Sequence, residues 1–268
     1  MLSQLHQAKS TFANFQRKTQ MIADNIANAN TVGFKRHDMN MESLFPLVLD
    51  KLIADIEDPN ISLSQKRRVY NEYGSAIAIA DITTDFGQGG LETTNRPLDF
   101  AINGKGFFQF RLPDGRLGYG RAGNLHIDPD GTLVDPNGHP IEPAVRLPRD
   151  TQEVIVNREG TVFVRTGTET TPREIGQITL ANVPRPDYLK AMGQNMWLAT
   201  VESGEPVVDR PGQPGFGVIN QRVLETSNVQ LIEEMMNLLM SQRSFQMNKG
   251  AVDAGQEMVK QSMDIVKG

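Results

Sequence analysis

The chain has 268 residues, 38% hydrophobic and 22% charged, enough apolar content to bury a sizeable core in one or two domains and too much for a disordered chain. A formal net charge of -5, with Lys and Arg scattered rather than striped, excludes the basic footprint of a nucleic-acid binder. The absence of cysteine excludes disulfides, thiol catalysis and thiolate metal sites, and leaves the redox compartment open.

The first element is a heptad helix. Leu5, Phe12, Thr19 and Ile26 recur every seven residues, and Ala8, Phe15, Ile22 and Ala29 form a second row displaced by three, together an a and d seam. Polar Gln4, Lys9, Arg17, Lys18 and Asp24 lie between the rows, so the stripe is one-sided and needs a partner. The opening residues lack the continuous apolar core and small-residue cleavage site of a secretory signal, and no run approaches the roughly 18 apolar residues of a membrane span. Membrane insertion is not expected, and export would need another kind of machine.

The helical pattern stops in "NIANANTVGFKR". Asn25, Asn28 and Asn30 are expected to bond to nearby backbone groups and Gly33 to adopt a positive φ, ending the helix and turning the chain outward. Phe34 is expected to anchor this turn in a neighbour's apolar surface. Residues 39–80 then fit neither a heptad nor a sheet pattern. Leu47, Val48, Leu52, Ile53 and Ile56 predict a short helix closed by Pro59, within an extended excursion that ends in the alternating strand "SAIAIAD".

From residue 81 to 220 the period changes to two. In "LDFAINGKGFFQF", alternating Phe100 and Ile102, the Asn103-Gly104 pair, and then Phe108 and Phe110 predict a β-hairpin. Short strands broken by "DPDG" and "DPNG" follow. "EVIVNREGTVFV" predicts another hairpin turning near Glu159-Gly160, and "GQITLANV" and "NMWLATV" two further strands. This stretch carries most of the Gly and Pro, as an all-β region demands.

Motifs that carry chemistry are weak. Gly118, Gly120 and Gly123 match GxGxxG, but a strand and a turn follow where a phosphate cradle needs a helix. Asp128, Asp130 and Asp135 lack the ligand order of a calcium loop and read as turn formers. His6, His37, His126 and His139 have no ligand spacing. No catalytic residue, cofactor site or metal site is expected.

The last element, within residues 221–268, is again heptad-patterned: Leu231, Leu238, Phe245, Val252, Val259 and Val266 recur every seven, with Ile232, Leu239, Ala251, Met258 and Ile265 on adjoining rows. Ser227 is expected to cap it with Gln230 reaching back, and Glu233 and Glu234 suit the positive end of its dipole. The run "EEMMNLLMSQ" reads as core or coiled-coil filling rather than as a binding groove. The expected fold is α+β: N- and C-terminal coiled-coil helices forming an assembly domain, with a central all-β domain. The expected division is 1–38, 39–80, 81–220 and 221–268.

"MIADNIANANTVGFKR" resembles the N-terminal signature of the bacterial flagellar rod and hook family, and "LETSNV", with Ser227 and Asn228, resembles its C-terminal one. "LDFAINGKGFFQFRLPDGRLGYGRAGNLHIDPDGTLVDPNGHPI" is similar to the family's central β-domain. The resemblance implies a structural subunit that passes through the flagellar export apparatus without a cleaved signal and polymerises helically with itself. Its partners would be other rod proteins, the hook protein and, in a Gram-negative cell, the P-ring and L-ring bushing. Residues 39–80 resemble the extended segment of the distal-rod type, whereas "NRPLDFAI" is at home in proximal members.

Overall fold

The computed structural model describes residues 2–43, 77–167 and 171–267. The short helix predicted over Leu47–Ile56 lies outside the described residues. The chain divides into two compact units: Met1–Ala27 with His37–Thr83 and Gln230–Gly268, and Asn28–Arg36 with Thr84–Val229.

The first unit is mainly helical. Helix α1 spans Leu2–Ala27 and helix α2 spans Leu231–Lys267. Phe12 packs on Phe245 and Thr19 meets Ser241, so residue numbers rise along one helix as they fall along the other, and the pair is antiparallel. A two-stranded sheet of His37–Ser43 and Ile77–Thr84 frames the excursion, and its second strand is the alternating one read at "SAIAIAD". No helix among the described residues is long and apolar enough to cross a membrane.

The second unit is built from short antiparallel strands. One sheet orders Lys190–Gly193, Met196–Leu198, Leu117–Gly120 and Phe108–Arg111; another orders Arg173–Gln177, Thr161–Thr166 and Thr151–Val156. Phe108 and Val162 of these strands, with Phe100, Ile102, Leu125 and Ile219 from other segments of the unit, belong to one buried cluster. Displacing such side chains from water drives the folding of this unit at about 25 cal/mol per Å² buried.

The "NREG" hairpin forms as read, with Val162 opposite Val156 and Gly160 at a φ of 81°. The strands of "LDFAINGKGFFQF" also form, but not as a hairpin. Phe100–Asn103 pairs with Val218–Gln221, and Phe108–Arg111 turns through "PDG" to Leu117–Gly120. A two-residue turn at Asn103-Gly104 would need a positive φ at both residues, and of the two only Gly104 has one, at 114°. The outcome of that exchange is topological: late strands Val218–Gln221 and Val223–Glu225 lie beside early strands Phe100–Asn103 and Leu91–Thr93. The beginning and end of the β unit are therefore neighbours.

Candidate assembly site

In the helical unit, α1 presents Phe12, Phe15, Thr19, Ile22 and Ile26, all half-buried except the fully enclosed Ile22. On α2 the covered side holds Glu234, Leu238, Ser241 and Phe245. The centroids of the Phe12 and Phe245 rings lie 4.0 Å apart, and the hydroxyls of Thr19 and Ser241 share a hydrogen bond of 2.9 Å. The row containing Leu238 and Phe245 therefore faces the chain's own first helix. Leu5, Val252 and Val259 fall within the helical spans, and their side chains lie outside the described set. Beside the seam runs an open groove of about 850 Å³, lined by Ala13, Gln16, Gln20, Ala23, Gln242 and Gln246 among others.

The opposite side of α2 stands in water. Ile232, Met236, Leu239, Met240 and Met247 are 78%, 53%, 57%, 60% and 69% exposed. At 100° per residue these five fall within a sector of about 100°, turned away from the side that α1 covers. Leu231 and Met235 extend the exposed surface. The methionine run, expected as filling, is not core within this chain. Sequence periodicity detected the apolar rows, but it could not say which row the chain itself would cover.

The Asn-rich stop has more than local work. Asn25 is fully buried; its Nδ2 donates to the His37 carbonyl at 2.8 Å and its Oδ1 accepts from the His37 N–H at 3.0 Å. It thus closes a loop of twelve residues rather than a single turn. The Asn28 carbonyl accepts from the Thr31 N–H, and its Oδ1 accepts from the Thr31 hydroxyl, a side-chain partner where a backbone one was expected. Asn30 is exposed. His37 beside this lock is half-buried, and burial lowers its pKa against the pull of Asp24.

In the β unit, Gly33 adopts a φ of 66°, and its N–H donates to the Glu225 carbonyl at 2.8 Å. A Cβ there would sit 2.6 Å from the Ala122 nitrogen, so the position needs glycine twice over. Phe34, expected to reach for a neighbouring molecule, is 7% exposed and already buried within its own chain. Ser227 does not make the expected capping box with Gln230. Its hydroxyl accepts from the Val229 N–H at 3.2 Å, and α2 begins only at Leu231, where the Gln230 carbonyl accepts from the Glu234 N–H. Asn228 ties two strands of backbone: Oδ1 accepts from the Arg36 N–H at 2.8 Å, and Nδ2 donates to the carbonyls of Asp85 and Gly87.

Beneath these ties lies a buried charge cluster that sequence reading missed. Lys35 Nζ reaches Glu225 Oε1 at 2.6 Å and donates to the Gly87 carbonyl at 2.8 Å. Arg121 Nη1 reaches Glu225 Oε2 at 3.2 Å, and its Nη2 donates to the Gly104 carbonyl at 2.8 Å. Its guanidinium also lies over the Phe107 ring. Lys35 and Glu225 are wholly inaccessible and Arg121 nearly so. Burial pushes the Lys35 ammonium pKa down and the Glu225 carboxylate opposes it. The available signal was a charge inside each terminal motif, Lys35 in "GFKR" and Glu225 in "LETSNV".

The glycine motif carries no phosphate cradle. Gly118 and Gly120 lie on a strand, and Gly123 packs so closely on the Phe100 carbonyl that a Cβ would collide with it. Asp135 holds the backbone N–H groups of Asn137 and His139, as a turn former does.

Three family descriptions match successive parts of the chain: "Flagella basal body rod protein" over residues 5–35, "Flagellar hook protein FlgE/F/G D1 domain" over 101–164, and "Flagellar basal body rod FlgEFG protein C-terminal" over 220–265. The flagellar basal-body rod protein FlgG of Buchnera aphidicola subsp. Baizongia pistaciae is 34% identical, covering 97% of this chain and 98% of its own. The chain belongs to the flagellar basal-body rod protein family. FlgG of Caulobacter vibrioides is similarly related, at 32% identity over 96% of both chains, and FlgG of Bacillus subtilis at 29% over 99% of both. As a member of the rod family the chain is a structural component of the flagellum and not an enzyme, and it assembles into the rod with other flagellar proteins. The matched ends, 5–35 and 220–265, contain most of both helices and both partners of the Lys35–Glu225 pair.

Proposed function

We propose that this chain is the distal-rod subunit, polymerising head-to-tail through its terminal helices into a helical tube that carries torque to the hook. The observation that carries the reading is the second apolar face of α2, with Ile232, Leu239 and Met240 uncovered opposite the face that α1 occupies. A helix apolar on two sides needs two neighbours, and one chain supplies one. The other belongs to the next copy, with the groove along Gln16 and Gln242 as a further surface for it. Such heterologous contacts do not close, so one set of interfaces repeated gives a filament.

The coiled-coil rows read from the sequence, with Leu5, Phe12 and Phe15 on α1 and Leu231, Val252 and Val259 on α2, supply the tube wall. The excursion at 39–80 contacts other subunits and stiffens the polymer. The neighbours are the proximal-rod proteins, the hook protein and, in Gram-negative cells, the ring bushing. The subunit reaches this place beyond the cytoplasmic membrane through the flagellar export apparatus. Gold-labelled antibody on isolated basal bodies tests the position. Label along the rod segment adjoining the hook supports the distal reading; label confined to the membrane-proximal end would move the chain to the proximal rod.

A further inference from the structure

Six of the twelve methionines of the chain lie in α2, and the chain has no cysteine. With no thiol to compete, the thioethers are the soft nucleophiles left to a two-electron oxidant. Their surroundings divide them. Met39 and Met196 are buried, Met196 within the main β cluster. Met236, Met240 and Met247 stand exposed beside Ile232 and Leu239. At 100° per residue the three fall within about 40° of one another, so they form one strip of sulfur along the uncovered face of α2.

A peroxide must reach the sulfur lone pair, which a core side chain prevents and a solvated one permits. The lone pair attacks one peroxide oxygen, the S–O bond forms as the O–O bond breaks, and the departing hydroxide takes the proton left on the transferred oxygen and leaves as water. Sulfur is oxidised by two electrons and peroxide is reduced. The product is a sulfoxide, a polar and chiral group where an apolar atom stood. In a free subunit the new oxygen is hydrated and costs little. Between copies it is buried, and the aliphatic side chains of Ile232 and Leu239 beside it offer no hydrogen-bond donor.

We propose that Met236, Met240 and Met247 form an oxidation-sensitive site that controls joining: hydrogen peroxide converts them to sulfoxides in the free subunit, and the modified subunit no longer adds to the polymer. The site rests on the reading of this face as the joint between copies, and it asks nothing of α1, since the strip is solvated whether or not the other side of α2 is covered. Once a copy has joined, the same thioethers are enclosed and protected. The site thus separates subunits in transit from subunits already in place. Methionine sulfoxide reductases, one for each epimer, restore the thioether.

Peptide mass spectrometry of the purified full chain after brief exposure to hydrogen peroxide tests the chemistry. Each of the three is expected to gain one oxygen about tenfold faster than buried Met196. Equal rates, or an unmodified strip, overturn the proposal. Cells whose only copy carries Met236→Leu, Met240→Leu and Met247→Leu test the consequence. Under a peroxide dose that depletes hook-bearing basal bodies while flagella are being built, the variant is expected to keep about threefold more of them than the unsubstituted chain. An equal loss overturns the proposal. If the Leu variant builds no rods even without peroxide, the unsubstituted chain decides: sulfoxide in unassembled subunits and none in the rods supports the site, and sulfoxide on the strip within rods of normal length overturns it. Gln at the same three positions, close to the sulfoxide in size and polarity, separates this site from the joint itself without any oxidant. A Gln variant that builds normal rods removes the joint and the site together. A Gln variant that stops the rod, in a chain whose strip peroxide leaves unmodified, keeps the joint and overturns the site.

Discussion

In the β unit, large apolar side chains such as Phe100, Ile102, Phe108 and Leu125 are fully enclosed, and even Lys35, Glu225 and Arg121 find oppositely charged partners inside it. On α2, Ile232, Leu239, Met240 and Met247 stand in solvent while Glu234 and Ser241 are covered. One region encloses its largest apolar side chains within the chain; the other leaves a whole apolar row outside while Glu234 and Ser241 share its internal seam with Leu238 and Phe245. That inversion is uneconomical for an isolated molecule and reasonable for a repeating one, in which the exposed row of one copy becomes core between copies. Methionine suits such a row because its unbranched, polarizable side chain adapts to surfaces that are not perfectly matched.

The contrast can be broken most forcefully from the β side. Leu125→Ala removes a fully buried side chain from the main cluster and should cost about 3 kcal/mol of β-unit stability, read as an earlier loss of Trp197 fluorescence in urea. A cost below about 1 kcal/mol would mean that the β unit is loosely packed, and the comparison would lose its self-sufficient member.

A smaller effect sharpens the helical side. Burial lowers the His37 pKa below its ordinary 6.5, so below that value the unfolded chain takes up the proton first and the folded state is penalised. The stability contributed by a neutral His37 is complete above pH 6.5 and is lost as the pH falls through its depressed folded value. Acidification should therefore loosen the Asn25–His37 lock, seen as helical circular dichroism melting earlier, and His37→Gln should flatten that dependence. An identical acid profile in the variant would show that His37 carries no such linkage.

Much of this architecture was legible because it is periodic. The sevenfold recurrence of Phe12 and Thr19, and of Leu238 and Phe245, located both helices and the seam, and the "NREG" turn announced its hairpin through Gly160. What depends on distant partners was not legible. Whether a row faces the chain's own helix or water is decided by a segment more than two hundred residues away, and so Met236 and Met240 read as filling. Asn103-Gly104 carried a strong hairpin signal, yet Phe100–Asn103 found a better partner in Val218–Gln221. Ser227 looked like a cap because only local spacing was visible, whereas the neighbouring Asn228 is committed to Arg36, Asp85 and Gly87. Lys35 and Glu225 gave no sign of pairing, since charge complementarity across 190 residues leaves no periodic trace.

If copies join through the uncovered face of α2, charges placed on that face must stop the polymer. Electron microscopy of basal bodies from cells whose only copy of this protein carries Ile232→Asp and Leu239→Asp tests it most directly. Both positions are exposed in the single chain, so the purified double variant should keep its circular dichroism, while each new carboxylate would be buried unpaired in the polymer. The expected basal bodies stop before the segment built from this subunit, with no hook attached. Rods of normal length containing the variant would contradict it, and the polymer contacts would then have to lie elsewhere on the molecule.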